Sequence, residues 1–204
     1  MAGVVPMANL LLTSRGLHAL PTFVERHAPG RRALHIPTAA EPYRGARILD
    51  EIRAEFAASM SEMTDVWMTE DDDPAMLDDV DLVIMGGGDP FHLLDRLRTT
   101  GWGDAITSAV RAGLAYVGMS AGSLVAGPTL EPCTVTSPHA PRPGLDLTAL
   151  NLVEVVALPH HDQPGRAERH SEALARFGGD LNIVALSDDQ ALVVVDGVAD
   201  LVPS

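Results

Sequence analysis

The chain is poor in the residues on which several classes of protein depend. Its 204 residues include one cysteine, Cys133, which excludes an intramolecular disulfide and a zinc site built on cysteines. Lys and Arg number 14 against 28 Asp and Glu, so the formal charge is −14. Because phosphate binding requires a basic patch, the sequence predicts neither nucleic acid nor an anionic membrane as a partner. No apolar run approaches the roughly 20 residues that span a bilayer.

The start of the chain also lacks the pattern of a secretory signal. No basic residue precedes the first apolar stretch, and Asn9 interrupts that stretch. We therefore expect a cytoplasmic protein. The length and an apolar fraction of 46% suit one globular domain, residues 1–204, with no linker or repeat that would divide it. We expect a monomer or a homodimer.

Segments of strand-like and helix-like apolar periodicity alternate along the chain. This alternation predicts an α/β fold, an open and mostly parallel sheet flanked by helices, with a C-terminal β-hairpin over residues 191–202. The prolines between residues 127 and 144 predict irregular structure there. The predicted strands are 8–14, 33–37, 64–69, 81–85, 115–119, 152–158 and 183–186, and the predicted helices are 17–28, 46–61, 91–98, 103–112, 121–126 and 165–177.

A Gly-x-Ser-x-Gly motif lies between a predicted strand and a predicted helix, in Gly118-Met119-Ser120-Ala121-Gly122. A sharp turn there would push the Ser120 hydroxyl out of the sheet, and the two glycines would let strand and helix approach closely. Backbone N–H groups at the positive end of the following helix could meet an oxyanion. The motif therefore predicts a nucleophile, and the alternative is a glycine-rich packing turn.

A second glycine-rich turn, Gly86–Gly88, follows the preceding predicted strand. It lacks the spacing of a dinucleotide-binding loop and the Lys-Ser/Thr pair of a phosphate-binding loop. We expect it either to present backbone N–H groups to the substrate oxygen held near Ser120 or to be a tight strand-to-helix turn.

A serine nucleophile needs a base, and the sequence offers eight histidines. His160 and His161 follow a predicted strand, at the edge where ligand sites of parallel sheets lie. His92 could line the site, whereas His170 is expected to be exposed in the middle of a helix. Adjacent residues rarely point at one ion, so His160-His161-Asp162 is a weak metal motif. We expect no metal and no cofactor.

Three stretches, in this order and spacing, resemble the peptidase E (alpha-aspartyl dipeptidase) family of serine peptidases, with cyanophycinase as a more distant relative. They are GGGDPFHLLDRLRTTG, YVGMSAGSLVAGP and ALNLVEVVALPHHD. The resemblance covers most of the chain and implies a class I glutamine amidotransferase-like, flavodoxin-like α/β fold. In that fold amidotransferases use an elbow cysteine, and Cys133 lies elsewhere in the chain, so a glutamine amidotransferase is not expected.

The resemblance assigns roles to residues of this chain. It makes Ser120 the nucleophile and His160 the general base, with oxyanion-binding amides at Gly88 and Ala121. Arg166 and Arg169 match an arginine-containing segment and would bind the carboxylate of a small peptide or amide substrate. These two arginines and Asp89 are the candidate substrate-binding residues.

Two positions depart from the family pattern. Asp89 stands where the family usually has Asn, and its charge would repel an acidic substrate side chain. The segment between Glu131 and Asp146, where the family usually places the third member of its triad, contains no acid. The residues left as candidates for orienting His160 are Asp146, Glu131, Asp162, Glu154, Ser137 and His139.

Two functions remain open on these residues. The first is a serine hydrolase that cleaves small peptides, with Asp-X dipeptides as candidates. The second is a member without peptidase activity or with an altered substrate, either a ligand-binding module or an amidase.

Overall fold

A computed structural model describes residues 8–69 and 71–204. Part of the N-terminal segment considered above as a secretory signal, residues 1–7, lies outside that range. Within it, strands are β1 (Leu10–Thr13), β2 (Arg32–Ile36), β3 (Glu62–Asp65), β4 (Leu82–Met85), β5 (Ala115–Met119), β6 (Val155–Leu158), β7 (Asn182–Ala185), β8 (Gln190–Val195) and β9 (Val198–Pro203). The α-helices are α1 (Leu20–His27), α2 (Arg47–Ala57), α3 (Pro90–Thr99), α4 (Trp102–Arg111), α5 (Ala121–Ala126), α6 (Cys133–Thr136) and α7 (Arg166–Phe177), and short 3₁₀ helices cover Thr38–Tyr43 and Pro74–Asp79.

Seven strands form the main sheet, in the order β3-β2-β4-β5-β1-β8-β9. The first five pair in parallel, and β8 pairs antiparallel with both β1 and β9. Strands β6 and β7 form a separate parallel pair. This arrangement confirms the predicted α/β fold, its mostly parallel sheet and its C-terminal β-hairpin.

The central strands β1, β4 and β5 are buried on both faces, and their successive side chains point to opposite sides of the sheet. Leu10, Leu12 and Val83 face one core, which α3, α4 and α5 cover. Leu11 and Ile84 face the other core, to which α1 and α2 contribute. Helices on both faces hold the parallel strands in register and leave their carboxyl ends free to carry loops.

The prediction of irregular structure over residues 127–144 is wrong for one segment. Cys133–Thr136 forms the short helix α6, which begins directly after Pro132. A proline before the first helical residue costs no intrahelical hydrogen bond, because the first N–H groups of a helix have no partner within it. Within the described part of the chain, no helix has the length and apolar character needed to cross a membrane.

Candidate active site

Ser120 stands on the sharp turn between β5 and α5. Its backbone φ is 50° and its ψ is −105°, a conformation that L-residues rarely adopt. Its N–H donates to the carbonyl of Thr13 at 3.0 Å, which ties the turn to β1. A Cβ at Gly122 would lie 2.1 Å from the carbonyl oxygen of Met85, so only glycine allows α5 to pack this closely on β4.

His160 reaches Ser120 from the loop after β6. Its Nε2 lies 2.9 Å from Ser120 Oγ. Its backbone φ is 66°, and its N–H donates to Ser14 Oγ at 2.7 Å. The structure thus brings the two residues predicted as nucleophile and base within hydrogen-bond distance, although 40 positions separate them.

Asp188 contacts the other side of the His160 ring, and it was not among the residues predicted from the sequence. Its Oδ1 lies 2.6 Å from His160 Nδ1. A carboxylate only accepts hydrogen bonds, so His160 carries its proton on Nδ1 and leaves Nε2 free to accept the Ser120 hydroxyl. Gln163 Nε2 donates to the other Asp188 oxygen at 2.6 Å. The order Ser120–His160–Asp188 is that of a nucleophile, a base and an orienting carboxylate.

The carboxylate of Asp188 is held in its charged form. Burial raises its pKa, but hydrogen bonds from Ser14, His160 and Gln163 lower it by more, so its pKa lies below the ordinary value. An ionised carboxylate in this position can stabilise an imidazolium at His160.

Ser14, a fully buried residue that follows β1, is a second residue of the site that was not predicted from the sequence. Its hydroxyl donates to Asp188 Oδ1 at 2.7 Å and accepts the backbone N–H of His160 at 2.7 Å. One side chain therefore fixes both the carboxylate and the backbone of the base. Ser14 is the last residue of the predicted strand 8–14, and Asp188 lies two residues after the predicted strand 183–186, so the rule that sites lie at strand ends could have found both.

The six residues considered for orienting His160 lie elsewhere, and none of them contacts His160 Nδ1. Asp146 accepts from the backbone and hydroxyl of Thr148 and pairs with Arg98. Asp162 accepts the backbone N–H of Asp188 at 3.0 Å and so supports the carboxylate indirectly. The remaining four are two exposed acids and two residues of the loop beside Ser120: Glu131, Glu154, Ser137 and His139.

The predicted oxyanion residues lie next to Ser120: Gly88 is in the loop between β4 and α3, and Ala121 is the first residue of α5. Among the described residues, neither the N–H of Gly88 nor that of Ala121 has a hydrogen-bond partner. Gly88 has a φ of 142°, and a Cβ there would lie 2.1 Å from the carbonyl oxygen of Ala39, so the loop requires glycine. Two unpaired amides beside a nucleophile can bind a developing negative charge.

A cavity of about 260 Å³ with a mixed lining opens beside Ser120, and it is named the polar cavity here for the Arg166, His139 and His170 side chains that line it. Arg166 lines it and donates to the carbonyl of Thr136, whereas Arg169 is exposed and does not line it. Burial and the nearby Arg169 lower the pKa of Arg166, which remains charged at neutral pH. Besides Gly88, Ser120, His160 and Arg166, the polar cavity is lined by Pro90, Leu124, Thr136, Ser137, Pro138, His139, Pro159 and His170.

His170 is buried, which corrects the expectation of an exposed residue. It lies on the inner side of α7, where its ring stacks on His161 at a centroid distance of 5.2 Å. Burial, with smaller electrostatic contributions from His161, Arg166 and His160, lowers its pKa to about 4. His92, considered for the site, contacts Glu41 at 2.8 Å instead and lines neither cavity beside Ser120.

Asp89 serves as the N-cap of α3, which explains an acid at this position. Its Oδ1 accepts the backbone N–H groups of Phe91 and His92 at 2.9 and 3.2 Å. Asn and Asp are equally good helix caps, so the change from Asn conserves this function. Its Oδ2 lies 3.6 Å from His139 Nδ1, close to the polar cavity.

An apolar cavity, also about 260 Å³, opens on the other side of Ser120. It shares Gly88, Ser120 and His160 with the polar cavity. Its remaining lining comes from β2 and β5, from the loops after β1, β2 and β4, and from the segment around α2: Ser14, Arg15, His35, Pro37, Ala40, Tyr43, Ile48, Leu49, Ile52, Gly86, Gly87 and Met119.

The described residues do not offer a metal site, and the lone cysteine is unsuited to act as a nucleophile. They include no cluster of three or more His, Cys, Asp or Glu side chains able to hold a metal ion. Burial raises the pKa of the Cys133 thiol to about 12, so it stays protonated and unreactive at neutral pH.

Comparison with known proteins identifies the family. The family model described as Peptidase family S51 matches residues 10–202. Peptidase E of Escherichia coli is 31% identical over 196 residues, which cover 90% of this chain and 82% of that protein. Peptidase E of Streptomyces coelicolor is 34% identical over 171 residues, 79% of this chain and 68% of that protein. An uncharacterized peptidase of Listeria innocua is 28% identical over 202 residues, 93% of this chain and 94% of that protein.

Two solved structures share the fold. One is a Listeria monocytogenes protein assigned to peptidase E, with a TM-score of 0.82, 22% identity, and coverage of 97% of this chain and 99% of that chain. The other is a peptidase from an acI-B1 Actinobacterium, with a TM-score of 0.67, 21% identity, and coverage of 98% and 89%.

The fold and these relatives define the chain as an α/β peptidase. It belongs to peptidase family S51, and its resemblance to peptidase E, first seen in the motifs, is confirmed over nearly the whole chain.

Proposed function

We propose that the protein is a serine peptidase that cleaves short peptides, with Asp-X dipeptides as its first candidate substrates. The observation that carries this proposal is the continuous contact from Ser120 Oγ through the His160 ring to the Asp188 carboxylate, at 2.9 and 2.6 Å. Membership in a peptidase family supports the reaction class. The residues that line the polar cavity support the choice of substrate.

Bond cleavage would proceed in two steps. Ser120 Oγ attacks the peptide carbonyl carbon while His160 Nε2 takes the hydroxyl proton, and the N–H groups of Gly88 and Ala121 bind the oxyanion. His160 then donates that proton to the leaving amine, which leaves an acyl group on Ser120. A water molecule, deprotonated by His160, releases the acid and restores the serine.

The polar cavity would hold the acidic side chain of the acyl residue. Arg166 lines that cavity, and a guanidinium can bind a carboxylate with two parallel hydrogen bonds. Asp89 Oδ2 is not used by the helix cap and lies near the same cavity, so it is available for the free amino group of a dipeptide. Arg169, which is exposed, would add positive charge at the entrance.

A dipeptide panel tests this proposal directly. We expect turnover of Asp-X dipeptides, weaker or no turnover of matched Asn-X and Lys-X dipeptides, and none by Ser120→Ala. A fluorophosphonate probe should label the wild-type protein and not Ser120→Ala. Turnover that survives in Ser120→Ala would refute the assignment of the nucleophile. Absence of both labelling and turnover would favour the alternative, a ligand-binding member of the family.

A further inference from the structure

The two cavities beside Ser120 share three lining residues and are otherwise lined by different parts of the chain. Both contain Ser120, His160 and Gly88, and they extend from that shared centre. A carbonyl carbon under attack carries an acyl substituent and a leaving nitrogen, which diverge from each other. A substrate seated with its carbonyl oxygen at Gly88 and Ala121 therefore sends one part into each cavity.

The apolar cavity has the chemical character of a binding site for a hydrocarbon side chain. Ile48, Leu49 and Ile52 line it from α2, and Tyr43 lines it from the preceding 3₁₀ helix. Tyr43 and Ile48 are 47% and 43% exposed, although most large apolar side chains of the described chain are buried. Exposed apolar groups gathered around a concave surface beside a nucleophile are typical of a ligand site.

The charged groups around the apolar cavity are also compatible with the terminal carboxylate of a leaving amino acid. His35 Nδ1 contacts Asp65, and Asp65 also accepts from Arg53, so the acid near this wall is neutralised within the protein. Arg15 lines the cavity from an exposed position, where it could meet a terminal carboxylate. None of the described lining residues is acidic.

We propose that the apolar cavity binds the residue on the leaving side of the scissile bond and selects bulky apolar side chains there. This proposal rests on the proposed peptidase function, in which the acidic acyl residue occupies the polar cavity. The preferred substrates are then dipeptides of an acidic residue followed by an apolar one such as Leu or Phe.

Two substrate series test the assignment of the cavities. With Asp as the acyl residue, we expect kcat/KM to rise from Gly through Ala to Leu and Phe in the leaving position, by about 10-fold or more overall. With Gly in the leaving position, an apolar acyl residue in place of Asp should lower kcat/KM. A preference for apolar acyl residues would mean that the cavities are exchanged and would overturn the proposal.

Variants at the rim test the role of the apolar surface. We expect Ile48→Ser to reduce the Asp-Leu to Asp-Gly ratio of kcat/KM by about 10-fold. The matched control is Leu174→Ser, because Leu174 has the same exposure of 43% but lies on α7 and does not line the cavity.

The outcomes separate the two proposals. Ser120-dependent hydrolysis with equal kcat/KM for Gly and Leu, or an unchanged ratio in Ile48→Ser, refutes the leaving-side cavity and leaves the peptidase function standing. No Ser120-dependent hydrolysis of any dipeptide refutes both.

Discussion

Ser120 and His160 both have a positive backbone φ, 50° and 66°, and their side chains meet at an Oγ–Nε2 distance of 2.9 Å. Residues other than glycine adopt such conformations at a cost of about 1–3 kcal/mol each, and they persist where the surrounding structure enforces them. Here the N–H of Ser120 is held by Thr13 and the N–H of His160 by Ser14. Two adjacent residues, Thr13 at the end of β1 and Ser14 directly after it, therefore fix both strained positions.

Strain at Ser120 can be measured by comparing two inactive variants. Ser120→Gly and Ser120→Ala both lose the hydroxyl, but only glycine is relaxed at a φ of 50°. Glycine also makes the unfolded chain more flexible, which offsets part of the gain. We expect Ser120→Gly to be more stable than Ser120→Ala by about 1 kcal/mol, or roughly 2–4 °C in Tm for a chain of this size. A Ser120→Gly variant no more stable than Ser120→Ala would show that the strain at this turn does not exceed the flexibility cost of glycine, about 0.4–1 kcal/mol.

Asp188 is expected to be the orienting acid. Asp188→Asn keeps the shape of the side chain but can present its amide to Nδ1 and stabilise the wrong tautomer of His160, so we expect kcat to fall by about 10⁴-fold. The measurement is steady-state kinetics on an Asp-X dipeptide, with circular dichroism to verify folding. Asp146→Asn is the control, because Asp146 is bonded to Thr148 and Arg98 and should leave kcat unchanged. A larger loss in the control than in Asp188→Asn would contradict this role.

Ser14 is expected to act on the reaction through Asp188 and His160. Its removal deletes hydrogen bonds to both residues, so we expect Ser14→Ala to lower kcat by about 10-fold to 100-fold, on the scale of about 1.4 kcal/mol per factor of ten. A double-mutant cycle tests the route of this effect. If Ser14 acts through the Asp188 carboxylate, Ser14→Ala should lower kcat far less in the Asp188→Asn background than in the wild type. Fully additive losses would show an independent role.

The motifs around Ser120 and His160 could be read from the sequence because each is local. The glycines of the Ser120 turn lie within two residues of it, and His160 follows a predicted strand after Pro159. Asp188 and Ser14 depend instead on which strands are neighbours. Leu158 of β6 is in register with Ala185 of β7, which brings the two following loops together.

The order of the strands also decides the position of Ser14. Thr13 of β1 is in register with Met119 of β5, so Ser14 and Ser120 follow adjacent strand ends. Periodicity predicts strands but does not specify their neighbours, so the contacts between loops had to come from the structure. The same limit explains His170, because the stacking on His161 depends on how α7 packs after the turn that follows His160.

Buried His170 predicts how stability changes with pH. Its pKa of about 4 in the folded protein lies below the 6.5 of the free side chain. Between these values the unfolded chain holds a proton at this residue that the folded chain does not, so the unfolding free energy falls as pH is lowered from about 6.5 to 4. One such group contributes a slope of up to about 1.4 kcal/mol per pH unit.

The check is chemical denaturation of the wild type and His170→Gln at several pH values from 7 to 4. Gln cannot take up a proton, so the variant should lose this part of the slope even if its stability at pH 7 is lower. The carboxylates with lowered pKa values, Asp188 among them, lose their stabilising effect only as pH falls below about 4, because an acid with a depressed pKa stabilises the fold above its unfolded value. Identical slopes between pH 6.5 and 4 in both proteins would show that His170 does not remain neutral when buried.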